Sequence, residues 1–191
     1  NNSWGWGGYF YDNLANYPFT GSARAMEDLA EQGRGGLGTI LTFAAGNDRS
    51  SGQNVNYHGY QNSPYTITVG SVDRYGNTSY FSTPGAAILV AAPGSSVTTT
   101  DRPGSAGYSS GDYTTINGTS FSSPATAGVI ALMLEANPNL GYRDVQEILA
   151  YSSNASIVRG SNRRITNGAG NWNGGGLTVS DDFGFGMVDA H

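Results

Sequence analysis

The sequence predicts an α/β domain in which helices cover a mainly parallel sheet. Three short runs of apolar and β-branched residues, at positions 39–45, 65–72 and 87–92, have the length of strands that are buried on both faces, as parallel strands are. Segments with helical spacing precede and follow these runs. Because ligands of such folds bind where the strands end, we expect the chemistry at the carboxyl edge of the sheet.

Before the sheet, the sequence predicts a short opening strand, a loop rich in Gly and aromatic residues, and a helix over residues 23–32. Ser22 is the expected N-cap of this helix. The Gly residues of GRGGLG are expected to end it, since Gly tolerates the left-handed conformation of a helix stop.

After the sheet, the sequence predicts two helices. The first begins at Thr119 and is apolar nearly all round, so we expect it to be buried at the centre of the domain. The second, over residues 141–151, is amphipathic and belongs on the surface. The remainder is predicted to be Gly-rich connection, and residues 1–191 are interpreted as parts of one domain.

Composition argues against several classes of protein. Hydrophobic residues make up 38% of the chain, which disfavours disorder. The net charge is -5 and the nine basic residues, all Arg, form no cluster, so nucleic acid is not an expected partner. No apolar run approaches the ~20 residues of a membrane helix. The absence of Cys excludes disulfides, and the abundant Gly, Ser, Thr, Asn and Tyr suit a secreted bacterial enzyme.

The first candidate for chemistry is Ser120, in the string NGTSFSSPATAG. It stands at the predicted start of the apolar helix, where free N–H groups and the helix dipole stabilise an attacking alkoxide and the oxyanion that it forms. Gly118 leaves room for a substrate backbone, Thr119 begins the turn, and Pro124 is tolerated if it falls in the first helical turn. A lone Ser before a helix is more often only a cap.

The second candidate is Asn47, in the string FAAGN. Its amide follows a predicted strand, at the edge where a neutral donor can stabilise an oxyanion during acyl transfer. A Gly and an Asn after a strand are more often only a turn. The interpretation of Asn47 as an oxyanion donor therefore depends on Ser120 being the nucleophile.

The pattern of GTS, three mostly small residues and Pro, at positions 118–124, resembles the nucleophile signature of the subtilisin-like serine proteases. The strings TILTFAAGN, NSPYTITVGSVD and FGFGMVDA are similar, in the same order, to the kexin/furin branch of that family. The resemblance covers nearly the whole chain. It implies the C-terminal portion of a three-layer subtilisin-like catalytic domain whose N-terminal part is absent.

The resemblance also implies roles for individual residues. Ser120 is the implied nucleophile and Asn47 the implied oxyanion donor. The implied substrate-binding residues fall into three groups. Ser3, Trp4 and Gly5 form one wall of the first specificity pocket, and Ala44, Ala45 and Gly46 form the other wall. Gly118 and Thr119 belong to the segment before the nucleophile.

The family's catalytic Asp and His motifs precede the SWG segment, and the two histidines present, His58 and His191, match neither. We expect both to be structural or exposed to solvent. A nucleophile without its base loses several powers of ten in rate, so this portion alone should be inactive and should need the upstream part, in the same chain or as a nicked piece. The family further implies structural calcium, without a ligand set derived from this sequence, together with a propeptide inhibitor and a following domain.

Kexins and furins select basic residues with acidic groups and calcium beneath the first pocket. Here Gln53, His58 and Thr83 occupy three of the acidic positions, and Asp12 is only a distant candidate. The resemblance therefore puts a basic preference in doubt. We expect an unlined or apolar pocket that takes large neutral or aromatic side chains.

The resulting hypothesis is a secreted or cell-surface serine endopeptidase that acts on polypeptides. An esterase is disfavoured because GTSFS lacks the second Gly of the GxSxG elbow. The alternative is an inactive subtilisin-like scaffold that serves as a binding module. Retention of Asn47, Gly118 and Ser120 disfavours that alternative.

Overall fold

The computed structural model describes residues 1–5, 7–159, 164–170 and 174–190, so His191 lies outside the described residues. Its centre is a three-stranded parallel sheet of β1 (Leu41–Ala44), β2 (Thr66–Val72) and β3 (Ile88–Pro93), in the order β1-β2-β3. Every residue of β2 is buried, as expected for a central strand covered on both faces. The prediction of a mainly parallel sheet is confirmed.

Helices cover both faces of this sheet. The three helices are α1 (Thr20–Gly36), α2 (Thr119–Ala136) and α3 (Tyr142–Ser152). On one face, an apolar cluster joins the sheet to α2 and α3, and on the other face a second cluster joins it to α1: Ile67, Val69, Val90, Ala92, Ile130, Val145 and Leu149 in the first, Met26, Phe43 and Tyr60 in the second. The result is a three-layer arrangement. In the part of the chain that the structure describes, no helix has the length and hydropathy needed to cross a bilayer.

Small hydroxylated side chains fix α2 against the sheet. The Ser122 hydroxyl donates to the Ala92 carbonyl oxygen at 2.9 Å, and the Ser123 hydroxyl donates to Thr42 Oγ1 at 3.2 Å. Both serines are fully buried. Short side chains let the helix approach the strands closely, which sets the position of its N-terminus.

The ends of α1 differ in how well the sequence predicts them. The helix begins at Thr20, so Ser22 is not its N-cap; the Ser22 hydroxyl instead accepts a hydrogen bond from the Tyr60 hydroxyl at 3.0 Å. Gly33 leaves helical dihedral angles and Arg34 is left-handed, as predicted for the GRGGLG stop. The Arg34 guanidinium then donates to the Leu140 carbonyl oxygen at 2.8 Å, which ties the helix end to the loop between α2 and α3.

Two expectations for α2 are wrong. The helix is not buried all round: Ile130 faces the sheet, but Leu132 is 56% exposed, because the described layers cover only one side of α2. Pro124 is the sixth residue of the helix rather than a first-turn residue. A proline there has no N–H, so the carbonyl of Ser120, four residues earlier, lacks the usual donor of an α-helix.

Two antiparallel hairpins lie in segments that the sequence analysis treated as connection. They are formed by β4 (Val97–Thr100) with β5 (Tyr113–Ile116), and by β6 (Arg164–Thr166) with β7 (Thr178–Ser180). The first hairpin connects β3 to α2, and hence leads into the segment that carries Ser120.

Candidate active site

Ser120 is the second residue of α2, and its side chain is exposed. The Ser3 hydroxyl is in hydrogen-bonding contact with the Ser120 hydroxyl. The loop before the helix is held by the Gly118 N–H, which donates to the Gly94 carbonyl oxygen at 2.8 Å. A Cβ atom on Gly94 would lie 2.4 Å from Ser122 Oγ, so only glycine allows this approach of β3 to the start of α2.

Asn47 follows β1 and is oriented by Thr119. Its Oδ1 atom accepts hydrogen bonds from the Thr119 N–H at 2.9 Å and from the Thr119 hydroxyl at 3.0 Å. The same hydroxyl accepts from the Gly46 N–H at 3.1 Å, at a residue whose φ of +100° favours glycine. With Oδ1 fixed in this way, the Nδ2 group lies toward Gly118, 3.7 Å from the place that a Cβ atom on Gly118 would occupy.

These contacts join the end of a strand to the start of a helix around one open space. A carbonyl carbon beside Ser120 Oγ can place its oxygen near Asn47 Nδ2 and near the Ser120 N–H. Both are neutral donors that the protein holds in place before reaction, which is the arrangement that stabilises a developing oxyanion. The missing side chain of Gly118 keeps that space open.

The two segments expected to form the pocket walls also meet in the structure. Residues 2–5 run beside β1: the Ala44 N–H donates to the Asn2 carbonyl oxygen at 3.0 Å. The Gln61 amide nitrogen lies 3.4 Å from the carbonyl oxygens of both Trp4 and Ala44, and so links one wall to the other. Gln61 was not predicted as a site residue, because nothing near it in sequence indicates this contact.

Between these walls lies a cavity of about 370 Å³. Its lining joins wall residues to polar residues of the loops after β1 and β2: Gly5, Gly7, Ala45, Gly46, Asp48, Ser51, Gln53, His58, Gln61 and Thr83. The expectation of an unlined or apolar pocket is therefore wrong. The loops that follow the strands bring side-chain amides, hydroxyls and an imidazole to the cavity, although these residues are far apart in sequence.

His58 is not exposed to solvent. It is 7% exposed, and its ring nitrogens contact Asp12 Oδ1 at 3.3 Å and Gln53 Oε1 at 3.2 Å. Asp12, treated above as a distant candidate, is 1% exposed and reaches the pocket floor through His58. These contacts engage His58 away from Ser120, so the ring is not placed as the general base.

The family resemblance implies a structural calcium, and calcium is held by backbone and amide carbonyl oxygens as well as by carboxylates. Among the described residues, no group of three or more His, Cys, Asp or Glu side chains is arranged to hold a metal ion. No step in the chemistry below is routed through a metal.

Comparison with known proteins identifies the relatives of this chain. A model of the Subtilase family matches residues 1–186. The chain is 37% identical over 159 residues to proprotein convertase subtilisin/kexin type 4 of Homo sapiens, and 35% identical over 180 residues to furin of Homo sapiens. These matches cover 83% and 89% of this chain but 20% and 21% of the relatives, so the chain spans about a fifth of their length.

Solved structures share the fold. The serine protease of Aeromonas sobria has a TM-score of 0.77 at 23% identity, and the match covers 93% of this chain and 39% of the protease chain. A protease of Pseudoalteromonas arctica has a TM-score of 0.69 at 26% identity, and covers 98% of this chain and 48% of its own. With the three-layer arrangement, the GTS helix start and the family match over residues 1–186, the chain belongs to the subtilase family.

Proposed function

We propose that this chain is the nucleophile-bearing portion of a serine endopeptidase that hydrolyses polypeptides through an acyl-enzyme on Ser120. The observation that carries the proposal is the convergence of an exposed Ser120 and Asn47 at the start of α2, with the buried Thr119 bonded to the Asn47 carbonyl oxygen. Membership of the subtilase family supports the reaction class.

In the proposed reaction, Ser120 Oγ attacks the scissile carbonyl carbon and its proton passes to a general base. The tetrahedral oxyanion accepts hydrogen bonds from Asn47 Nδ2 and the Ser120 N–H. Collapse expels the amine, which takes a proton, and leaves an ester on Ser120. Water then attacks the ester through a second oxyanion at the same place, and the carboxylic acid leaves.

The base and the residue that orients it are proposed to come from a segment outside this chain. Two observations support an additional layer of protein at this place. The first is that the described residues engage His58 away from Ser120. The second is that Leu132 is 56% exposed on the outer side of α2, beside the small exposed residues Gly128 and Ala131. A helix side of this kind can take a further layer of protein.

Further partners and the location of the enzyme follow the family and its relatives. The serine protease of Aeromonas sobria has been solved in complex with a chaperone, which supports a propeptide or chaperone partner here. We extend the proposal to a structural calcium, a following domain and secretion or cell-surface attachment. The bacterial sources of the solved relatives, Aeromonas sobria and Pseudoalteromonas arctica, support a bacterial origin.

The test is active-site labelling of the full-length protein with a fluorophosphonate, read by intact mass and peptide mapping. We expect one adduct, on Ser120, that is absent from the Ser120→Ala variant and present in the Ser105→Ala variant, which changes an exposed loop serine. A folded full-length protein that takes no label would contradict the proposal and favour the inactive binding scaffold.

A further inference from the structure

A buried acid–imidazole pair forms part of the floor of the cavity between the pocket walls. His58 follows a short helical turn after β1, and Asp12 precedes α1; the two residues are 7% and 1% exposed. His58 Nδ1 lies 3.3 Å from Asp12 Oδ1, and His58 Nε2 lies 3.2 Å from Gln53 Oε1. The imidazole therefore stands between a buried carboxylate and a side chain that lines the cavity.

Both nitrogens of the ring face oxygen atoms. A neutral imidazole has one N–H and can donate on one side only, whereas the imidazolium donates on both. The contacts of His58 are those that an imidazolium satisfies. A buried carboxylate without a counter-charge is costly, and an imidazolium at this place would offset that cost for Asp12.

Among the other described residues that line the cavity, only Asp48 is an acid or a base. Its walls are flat where Gly5, Ala45 and Gly46 lie, and its polar lining includes Gln53 and the hydroxyl of Thr83. Asp48 also lines the cavity but is exposed, so that water screens its charge. A guest side chain thus meets hydrogen-bonding groups and a floor whose charges cancel.

We propose that His58 is a specificity-determining residue: it cancels the charge of Asp12, so that the pocket selects a neutral side chain ending in a hydrogen-bonding group, such as Tyr or Gln, before the scissile bond. The inference rests on the proposed function. An apolar guest would cover the Gln53 amide and the Thr83 hydroxyl without offering either a hydrogen bond, and sites built to bond a hydroxyl reject analogues that lack it. A cationic guest finds no unbalanced buried charge to pair with.

The test uses the full-length protein and peptides that differ only in the residue before the scissile bond. We expect the wild-type protein, assayed at mildly acidic pH, to cleave after Tyr better than after Phe or Arg. His58→Asn leaves the Asp12 carboxylate unbalanced, and should raise the ratio of kcat/KM for Arg over Tyr about tenfold or more. The double variant Asp12→Asn/His58→Asn restores neutrality and should return the ratio toward that of the wild type.

Several results would overturn the inference. One is a folded, labelled His58→Asn protein with an unchanged Arg-to-Tyr ratio, and another is a double variant as selective for Arg as the single one. If His58→Asn does not fold, Asp12→Asn decides: it removes the buried carboxylate, so the ratio must not rise above that of the wild type. The Asp28→Asn variant, changed on the exposed side of α1, should match the wild type.

A second readout does not depend on cleavage. Nitrogen NMR of the full-length protein, with His58→Asn used to assign the ring, should show both nitrogens of His58 protonated at the same pH. A neutral ring would overturn the inference. If no peptide is cleaved and no label is taken up, the proposed function fails, while this spectrum still decides the charge of the pocket floor.

Discussion

At the scale of single residues, the site depends on which way the amide of Asn47 points. Two hydrogen bonds from Thr119 hold its carbonyl oxygen, so its nitrogen is directed to the open side of Gly118. In the full-length enzyme, we expect Asn47→Ala to lower kcat about 10²–10³-fold with little change in KM, the size of effect known for the matching donor of subtilisin. Steady-state peptide hydrolysis measures it, with Asn139→Ala, an exposed loop change, as the control. Full kcat in the Asn47→Ala protein would remove this residue from the mechanism.

Thr119 acts on the substrate through Asn47, so its role is to position that side chain. Thr119→Val keeps the shape but removes the hydroxyl that accepts from the Gly46 N–H and donates to Asn47. We expect the free energy of unfolding to fall by about 1–3 kcal/mol, because the Gly46 N–H loses its acceptor. We also expect kcat to fall while KM is retained.

Denaturant unfolding and peptide kinetics on the same samples separate the two effects of Thr119→Val. Thr166→Val is the control, because that hydroxyl pairs with the Thr178 hydroxyl on the hairpin of β6 and β7. A loss of stability with unchanged kcat would show that Thr119 only supports the fold.

At the scale of elements, burial explains which parts of the fold could be predicted. A strand covered on both faces is rich in apolar and β-branched residues, as β2 is, and such a run stands out in the sequence. The hydroxyls that β2 does carry, on Thr66, Thr68 and Ser71, are buried in hydrogen bonds. In the hairpin of β4 and β5 each strand alternates between exposed and half-buried residues, and Thr fills most positions. Its side chains resemble those of a loop, and only the pairing of the two strands defines it.

The carboxylate of Asp73 stabilises the turn that follows β2. Asp73 accepts hydrogen bonds from the N–H groups of Tyr75 and Asn77 at 2.8 and 2.9 Å and from the Asn77 amide at 2.9 Å. Burial acts to raise the pKa of Asp73, but these hydrogen bonds and the nearby Arg74 outweigh it and hold the pKa below its ordinary value.

A depressed pKa in the folded state means that Asp73 stabilises the fold above the ordinary carboxyl pKa of about 3.9, and that this contribution is lost as the pH falls through the folded value. Asp73→Asn should therefore lower the unfolding midpoint at neutral pH and should differ less from the wild type in acid. Thermal unfolding across that range measures the effect, with Asp112→Asn, an exposed hairpin change, as the control. A difference independent of pH would contradict the expected ionic origin.

At the scale of the whole molecule, the site divides into a part that local sequence reveals and a part that it does not. Ser120 and Asn47 each stand at the end of an element with a recognisable pattern, so both could be found before the structure. The pocket floor has no such pattern: Asp12 and His58 are 46 positions apart and meet only because α1 and the loop after β1 pack together. Specificity here is a tertiary property, and the sequence alone predicted its lining wrongly.

The exposed apolar side of α2 gives a prediction about the whole protein. If another segment of the full-length protein covers this side, Leu132 is exposed in the present chain and buried in the complete enzyme. When residues 1–191 are expressed alone, Leu132→Gln should then reduce aggregation. It should also reduce the binding of a fluorescent dye that reports exposed apolar surface. In the full-length protein it should lower the free energy of unfolding by about 1.5–3 kcal/mol, the value of burying one Leu side chain.

The decisive feature of this prediction is that Leu132→Gln should improve the behaviour of residues 1–191 alone but destabilise the full-length protein. Ile165→Gln is the matched control: Ile165 is 69% exposed, lies in β6 away from α2, and should behave alike in both contexts. Light scattering of the isolated chain and denaturant unfolding of the full-length protein measure the two halves. If Leu132→Gln leaves the full-length protein as stable as the wild type, then α2 keeps this side open in the complete enzyme, and the missing base must reach Ser120 from a segment that does not pack on the helix.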